Sequence, residues 1–323
     1  MLKDLYRPLK KAVGLFGFNP RISFITAFAL FSLLAHASGQ SYSFRTVDFP
    51  GAAESGLSRV NQAGAVAGFY AMAPECCLVT GFSLVNGVFR VVAYPGAAGT
   101  EADGINDHNV VVGTYRDPGT LLRHGFMLKA GMYTNVDYPG AVEAGAGAIN
   151  DNGRIVGTYF DGTHWHGYTL LGGTFAVLNY PGAANTALAD VNKLGQIVGY
   201  YYQDDQQVHG FIHSGSKFTP IDYPGAAGTG SFAVNDNGVV AGEYQDTGGH
   251  THGFVLSNGV YSSIDFPGAV ETHIYGINNT GEVVGLEITD SNDTGEGFRA
   301  SPIDTSGATN KPSEFHTVGH AGR

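Results

Sequence analysis

Tyr138-Pro139-Gly140-Ala141 is one of six versions of the same four-residue phrase in this chain. The others are Phe49-Pro50-Gly51-Ala52, Tyr94-Pro95-Gly96-Ala97, Tyr180-Pro181-Gly182-Ala183, Tyr223-Pro224-Gly225-Ala226 and Phe266-Pro267-Gly268-Ala269. Their prolines step by 45, 44, 42, 43 and 43 residues. Self-similarity at about 40–50 residues marks a repeat protein, in which each copy is one supersecondary unit that buries its apolar face only against its neighbours. Pro in second place and Gly in third meet the demands of a type II turn. The phrase therefore redirects the chain from one copy into the next.

Downstream of each turn lies a second fixed element, clearest as Ile149-Asn150-Asp151-Asn152-Gly153-Arg154-Ile155-Val156-Gly157-Thr158-Tyr159. Its asparagine recurs as Asn61, Asn106, Asn192, Asn235 and Asn278, and a glycine follows seven residues later each time. A third element is His-Gly-Phe/Tyr, at His124, His166, His209 and His252. These elements bracket four β-prone runs per copy. In the third copy the first run ends at Ile149, and the others cover about Arg154–Phe160, His166–Leu171 and Thr174–Tyr180. Asn-Asp-Asn-Gly and Gly172-Gly173 supply the positive φ that tight hairpins need. Four antiparallel strands in about 43 residues make a β-propeller blade.

The chain ends set the blade count. The sixth copy reaches Gly297-Phe298-Arg299, its third strand, and then loses the pattern at Ser301-Pro302. Ahead of the first turn, Tyr42-Ser43-Phe44-Arg45-Thr46-Val47-Asp48-Phe49 matches Val260-Tyr261-Ser262-Ser263-Ile264-Asp265-Phe266, a fourth strand. An N-terminal strand that completes the last blade removes two exposed sheet edges. The expectation is an all-β, six-bladed propeller over residues 41–300, rather than five or seven blades. Residues 301–323 are polar and Ser/Thr/Gly-rich, which predicts a disordered tail.

Residues 1–37 read as a secretory signal peptide. Lys3, Arg7, Lys10, Lys11 and Arg21 precede an apolar run of 13 residues, Ile22–Leu34, and the small-x-small site Ala35-His36-Ala37. That run is shorter than the roughly 18–20 residues a membrane-spanning helix needs, although retention as an anchor is the alternative to cleavage. Secretion, to the periplasm or the cell surface, follows. Without the leader the body carries 12 basic and 27 acidic residues, a formal charge of −15. Such a surface repels phosphate backbones, which excludes nucleic acid as a partner. The two cysteines, Cys76-Cys77, are adjacent and form either a strained vicinal bridge or two thiols.

The Ile-Asn-x-x-Gly-x-Val-Val-Gly stretch followed by His-x-Phe resembles the HAF-type extracellular repeat family of bacterial exported proteins. Ile149-Asn150, Gly153 and Val156-Gly157 carry the resemblance, as do Ile277-Asn278, Gly281 and Val283-Val284-Gly285. His-Gly-Phe departs from the His-Ala-Phe of the family name. The first and last copies lose the histidine, with Thr80-Gly81-Phe82 and Glu296-Gly297-Phe298. The resemblance implies a propeller-like repeat fold and an exported protein, and it implies no reaction.

Candidate chemistry concentrates in the longer connections between the second and third strands, on the face that carries the Pro-Gly-Ala turns. Variable loops on a rigid scaffold are where binding resides. The candidate ligand-binding residues are Asp117, His124, Asp161, His166, Tyr202, His209, Asp246 and His252. Equivalent histidines lie on a ring too wide for one ion. The favoured reading therefore pairs each within its own blade, as Asp117–His124, Asp161–His166 and Asp246–His252. In the sixth copy Asp290, Asn292, Asp293 and Glu296 resemble the start of a Ca²⁺ loop, the one metal the sequence raises. No Gly-x-Ser-x-Gly, His-Glu-x-x-His, phosphate loop or Cys-x-x-Cys is present. The leading expectation is a secreted, non-catalytic binding propeller whose ligand is a glycan or a surface protein. The alternatives are a Ca²⁺-dependent six-bladed hydrolase or lyase and a purely structural surface protein. The enzyme reading has little to draw on in the axial channel. First-strand residues there are mostly small or neutral, apart from Asp103 and Asp190.

Overall fold

A computed structural model describes residues 41–73, 78–202, 207–289 and 294–303. The leader, Cys76-Cys77, Asp290, Asn292, Asp293 and the tail beyond residue 303 lie outside them. Strand β1 (Tyr42–Thr46) is followed by five blades of four consecutive strands each. Blade 1 holds β2 (Glu54–Val60), β3 (Val66–Ala71), β4 (Thr80–Val85) and β5 (Val88–Val92). Blade 2 holds β6 (Gly99–Ile105), β7 (Val111–Arg116), β8 (Arg123–Lys129) and β9 (Met132–Asn135). Blade 3 holds β10 (Glu143–Ile149), β11 (Ile155–Phe160), β12 (Trp165–Leu171) and β13 (Thr174–Val177). Blade 4 holds β14 (Asn185–Val191), β15 (Ile197–Tyr202), β16 (Val208–Ser214) and β17 (Lys217–Ile221). Blade 5 holds β18 (Gly228–Val234), β19 (Val240–Gln245), β20 (Thr251–Ser257) and β21 (Val260–Ile264). Blade 6 is β22 (Glu271–Ile277), β23 (Val283–Ile288) and β24 (Gly295–Pro302), with β1 as its fourth strand.

The N-terminal strand completes the last blade as expected, antiparallel to β24, with Phe44 opposite Ala300 and Thr46 opposite Phe298. Val47 N donates to Gly297 O at 2.8 Å. The last strand runs two residues past the expected boundary, because Tyr42 and Ser43 pair with Pro302 and Ser301. All six Pro-Gly-Ala segments are type II turns. In the third, Ala141 N donates to Tyr138 O at 3.1 Å and Gly140 sits at φ +80°. The fourth strand of blade 3 stops at Val177 instead of reaching Tyr180. The Asn179 carboxamide explains this, since its Oδ1 takes the Gly167 N–H at 3.0 Å and so replaces the ladder.

The turn aromatics have a packing role. Tyr94 stacks on Tyr115 with centroids 3.7 Å apart, and Tyr138–Tyr159, Tyr180–Tyr201, Tyr223–Tyr244 and Phe49–Tyr70 repeat the pair. The aromatic ring of each His-Gly-Phe position (Phe82, Phe126, Tyr168, Phe211, Phe254, Phe298) is fully buried. The glycine before it is obligatory. A Cβ at Gly253 would stand 2.6 Å from Ile264 O and another at Gly297 2.6 Å from Val47 O. Close approach of the fourth strand is the physical reason for Gly at this position.

On the opposite face, the recurrent asparagines do more than make hairpins. Asn150 Oδ1 accepts the Arg154 N–H of its own hairpin at 2.9 Å, while its Nδ2 donates to Asn192 O of the next blade at 2.9 Å. Asn61, Asn106, Asn192 and Asn235 make the same link at 3.0, 3.2, 2.9 and 3.0 Å. At the blade 6 to blade 1 seam, Asn278 turns to Glu282 instead. Arg299 closes the seam, held by Glu282 at 2.7 Å and donating to Gly64 O at 3.1 Å. Each link is worth about 1 kcal/mol net, and together they set the blades at one spacing around the axis.

Candidate functional site

The four histidines do not converge. His124 Nδ1 lies 2.9 Å from Asp137 Oδ2, His209 Nδ1 2.9 Å from Asp222 Oδ1 and His252 Nδ1 3.0 Å from Asp265 Oδ1. His166 Nδ1 meets the Asn179 carboxamide at 2.9 Å. The principal partner is thus the residue just before each Tyr/Phe-Pro-Gly, at the end of the neighbouring fourth strand. Of the loop aspartates, Asp161 does reach its histidine, at 3.0 Å to His166 Nε2. Asp246 stands 3.6 Å from His252 Nε2. The expected Asp117–His124 hydrogen bond is not made. Asp117 caps its own loop, accepting from Gly119 N at 2.9 Å and Thr120 N at 2.8 Å. These donors, backbone Thr120 first, hold the Asp117 carboxyl below its ordinary range. Each imidazole also lies against the strand-two tyrosine, as in Tyr115–His124 with centroids 5.1 Å apart. With side chains only 19–30% exposed, these are blade-internal networks.

Blade 6 breaks the pattern. Glu287 takes the tyrosine position, Glu296 the histidine position directly across the ladder, and Asp48 the aspartate position. Asp48 Oδ1 accepts from Ser55 Oγ at 2.6 Å and Gly297 N at 3.0 Å. Glu287 is buried, with Oε2 making no hydrogen bond to a described residue. Burial first, then the Glu296 and Asp48 charges, push its carboxyl up to about 7. An acid whose pKa is raised on folding binds its proton more tightly in the native state, so stability rises as pH falls from about 7 towards the ordinary Glu range. Thermal unfolding is therefore expected at higher temperature at pH 5.5 than at pH 8. Glu287→Gln is expected to shrink that difference, and an unchanged difference would rule out this cluster as a contributor. Among the described residues no group of three or more His, Cys, Asp or Glu is arranged to hold a metal ion. No described helix is long and apolar enough to cross a membrane.

The axial channel differs most from the expectation. Small first-strand residues do occupy one side, with Gly145, Gly147, Ala187 and Ala189 on blades 3 and 4. The rest of the wall is charged and aromatic, because the second strands and the starts of third strands also reach it. At the hairpin end Arg59 lies across the axis. Its Nη1 donates to Tyr275 O at 2.7 Å and Phe232 O at 2.9 Å, and its Nη2 to Ala189 O at 2.9 Å. Asp190 Oδ2 stands 3.2 Å from Nη1. Burial raises the Asp190 carboxyl, and Arg59 with the Val234 and Val191 N–H groups opposes that. One guanidinium from blade 1 thereby ties blades 4, 5 and 6.

Towards the Pro-Gly-Ala face, His273 lies between two carboxylates, with Nδ1 2.7 Å from Glu243 and Nε2 3.2 Å from Glu271. Burial alone would lower this imidazole, but Glu243 first and then Glu271 raise it to about 9, so it is cationic at neutral pH. Arg123 Nε donates to Glu143 at 2.7 Å, and its guanidinium lies 4.6 Å above the Trp165 ring. Tyr200 and Tyr202, on the same side of β15, meet edge to face at 6.0 Å, and Tyr200 meets Phe232 at 5.6 Å. Phe232 in turn meets Tyr275 at 6.3 Å. Asp103 accepts from Thr114 Oγ1 at 3.0 Å. Burial first pushes its carboxyl up to about 7, against opposing Arg59 and Arg123 charges.

Buried polar atoms on this wall that make no hydrogen bond to any described residue include Asp103 Oδ1, Tyr200 Oη, Arg123 Nη1 and Ser58 Oγ. Of the eight candidate ligand residues, only Tyr202 reaches the axis. The wall was illegible in sequence because each copy contributes one or two deviations, such as Glu243 where blades 2 and 3 have Thr114 and Thr158. Misfits to the repeat at those positions are the one signal that could have found it.

No family model matches the chain, and no curated protein matches it. Among solved structures it is similar to AofleA from Arthrobotrys oligospora, at 14% identity and a TM-score of 0.48, covering 77% of this chain and 83% of that one. A gluconolactonase, XC5397 from Xanthomonas campestris, is similar at 13% identity and 0.49, covering 84% and 94%. The SapL1 lectin, solved with alpha methyl fucoside, is similar at 9% and 0.49, covering 73% and 88%. At such overlap and identity the likenesses say nothing about the ligand of this chain.

Proposed function

We propose that this propeller is an exported binding protein that takes a small polyhydroxylated ligand, the end of a glycan, into the axial channel from the Pro-Gly-Ala face. The observation that carries the reading is the set of buried, unpartnered polar atoms on one wall. Buried polar groups are normally satisfied, and Asp103 Oδ1, Tyr200 Oη, Arg123 Nη1 and Ser58 Oγ are donors and acceptors of the kind that hydroxyl groups pair with. The Tyr202 and Trp165 rings supply apolar faces beside them, the mixture typical of small-molecule sites. Binding is favoured over catalysis because the reactive groups are already committed. His273 has both ring nitrogens engaged by carboxylates, and Arg123 is held by Glu143.

Gly147 offers a clean test. It sits at the bulge of β10, and a Cβ there would meet nothing closer than Leu188 O at 3.4 Å. A side chain at 147 therefore projects into the channel without disturbing packing. Gly147→Leu is expected to lower affinity for a glycan-array hit at least tenfold by titration calorimetry, with an unchanged melting temperature. Tyr202→Ala is expected to act in the same direction. Full binding by Gly147→Leu would move the site off the axis.

A further inference from the structure

We infer that the fourth-strand slot of blade 6, filled by β1, is also the docking site of a second segment of this chain, residues 313–318, which closes the ring when β1 is withdrawn. All six fourth strands carry an aromatic residue followed three positions later by Val, Leu or Ile, as in Phe89 and Val92 or Tyr261 and Ile264. The aliphatic member is buried in the adjoining core, as Val92 and Ile264 are. In residues 304–323, outside the described residues, the same pattern occurs once, as Phe315-His316-Thr317-Val318. It matches Phe44-Arg45-Thr46-Val47 of the closing segment at three of four positions. No other aromatic or branched aliphatic residue occurs in that stretch.

The slot asks for little beyond that pattern. Phe44 meets Phe266 and Phe298 at 5.5 and 5.9 Å, and Val47 packs on the cluster that holds Leu57. Arg45 and Thr46 are exposed, so His316 and Thr317 suit their places. The ladder to β24 is made by backbone groups, which any strand in this register offers. Position fits as well, because the chain leaves blade 6 at Ile303, whose N–H donates to Ser41 O at 2.7 Å beside the start of β1. Residues 303–312 are long enough to close a hairpin antiparallel to β24, a connection the other blades make with two residues. Closure entropy grows only slowly with loop length. β1 is the better occupant. Tyr42 packs on the blade 6 core where the tail has Ser313, and Asp48 accepts from Ser55 Oγ and Gly297 N where the tail has Gly319. Val47 and Asp48 must also leave for Val318 to enter, so the exchange involves all of residues 42–48. A chain whose N-terminus is held elsewhere then keeps β24 covered instead of exposing it as an edge.

The test is a double-mutant cycle on the full chain, read by thermal melting. Phe44→Asp with Val47→Asp expels the N-terminal strand, and Phe315→Asp disables the tail. Phe315→Asp alone is expected to leave the melting temperature unchanged. Added to the expelled strand it is expected to lower melting by at least about 5 °C, since segments that share one slot do not act additively. A second measurement reads occupancy, in a chain with Cys76→Ser and Cys77→Ser. Ser43 faces Ser301 in the β1 ladder, so Glu314 faces Ser301 once the tail takes that register. A disulfide between Ser301→Cys and Glu314→Cys, followed by mass spectrometry, is expected to form at least about tenfold faster when β1 is expelled, because the bond needs Cα atoms within 7 Å. Additive losses, or no cross-link with β1 expelled, would overturn the proposal, as would a chain that no longer folds once β1 is expelled. Equal cross-linking with Phe44 and Val47 in place would put the tail on another surface and overturn the exchange.

Discussion

Arg59→Met is expected to destabilise the propeller by about 3–5 kcal/mol, the cost of breaking a buried ion pair from one side. The guanidinium donates to three carbonyls on three blades, so its removal also leaves Ala189 O, Phe232 O and Tyr275 O without that donor. Asp190 would remain buried with only the Val191 and Val234 N–H groups, at 2.8 and 2.9 Å. Its carboxyl, already raised by burial, would rise further without Arg59. The variant should accordingly lose more stability at pH 8 than at pH 5.5, because a carboxyl with a raised native pKa favours the folded state as pH falls. Urea unfolding at both pH values measures this. Arg59→Met with Asp190→Asn should recover a large part of the loss, since an apolar and amide pair leaves no uncompensated charge. A single-variant loss below about 1 kcal/mol would mean that the axial tie is ornamental, as exposed ion pairs usually are.

Removing residues 41–46 should have an effect of at least similar size. That segment supplies all of β1, and with it five ladder positions against β24. Phe44 packs edge to face on Phe266 at 5.5 Å and against Phe298 at 5.9 Å. Burying an aromatic side chain is worth roughly 1.5–3 kcal/mol, and the ladder bonds add about 1 kcal/mol each. The loss also exposes β24 as a new edge, a template for association. A chain beginning at Val47 should melt well below one beginning at Ser41 and should self-associate on gel filtration. A peptide spanning Tyr42–Asp48 should restore the melting temperature by adding back the strand. An unchanged melting temperature in the shortened chain would show that closure contributes nothing.

Much of this architecture could be read directly. The type II turns follow from Pro-Gly, whose backbone limits act within four residues. The stacking tyrosines and His-Gly-Phe positions recur because every blade meets the same neighbour. Closure was visible because Tyr42–Phe49 repeats a fourth strand that the last copy lacks. Other details resisted. Asp117 precedes His124 by only seven residues, yet His124, in β8, bonds to Asp137, which strand register brings closer than the intervening loop brings Asp117. The asparagines looked like hairpin residues, and their second bond, to a carbonyl 42 to 45 residues away, has no local signature.

The sequence by itself determined the period, the strands, the blade count and the place where the ring closes, because each depends on contacts repeated in every copy or made within a few residues. Only the tertiary structure decided what occupies the axis. Arg59 meets atoms 130, 173 and 216 residues away, and the wall is assembled from single departures in six copies. A repeat shows what its units share, whereas a site on the symmetry axis is built from what they do not share.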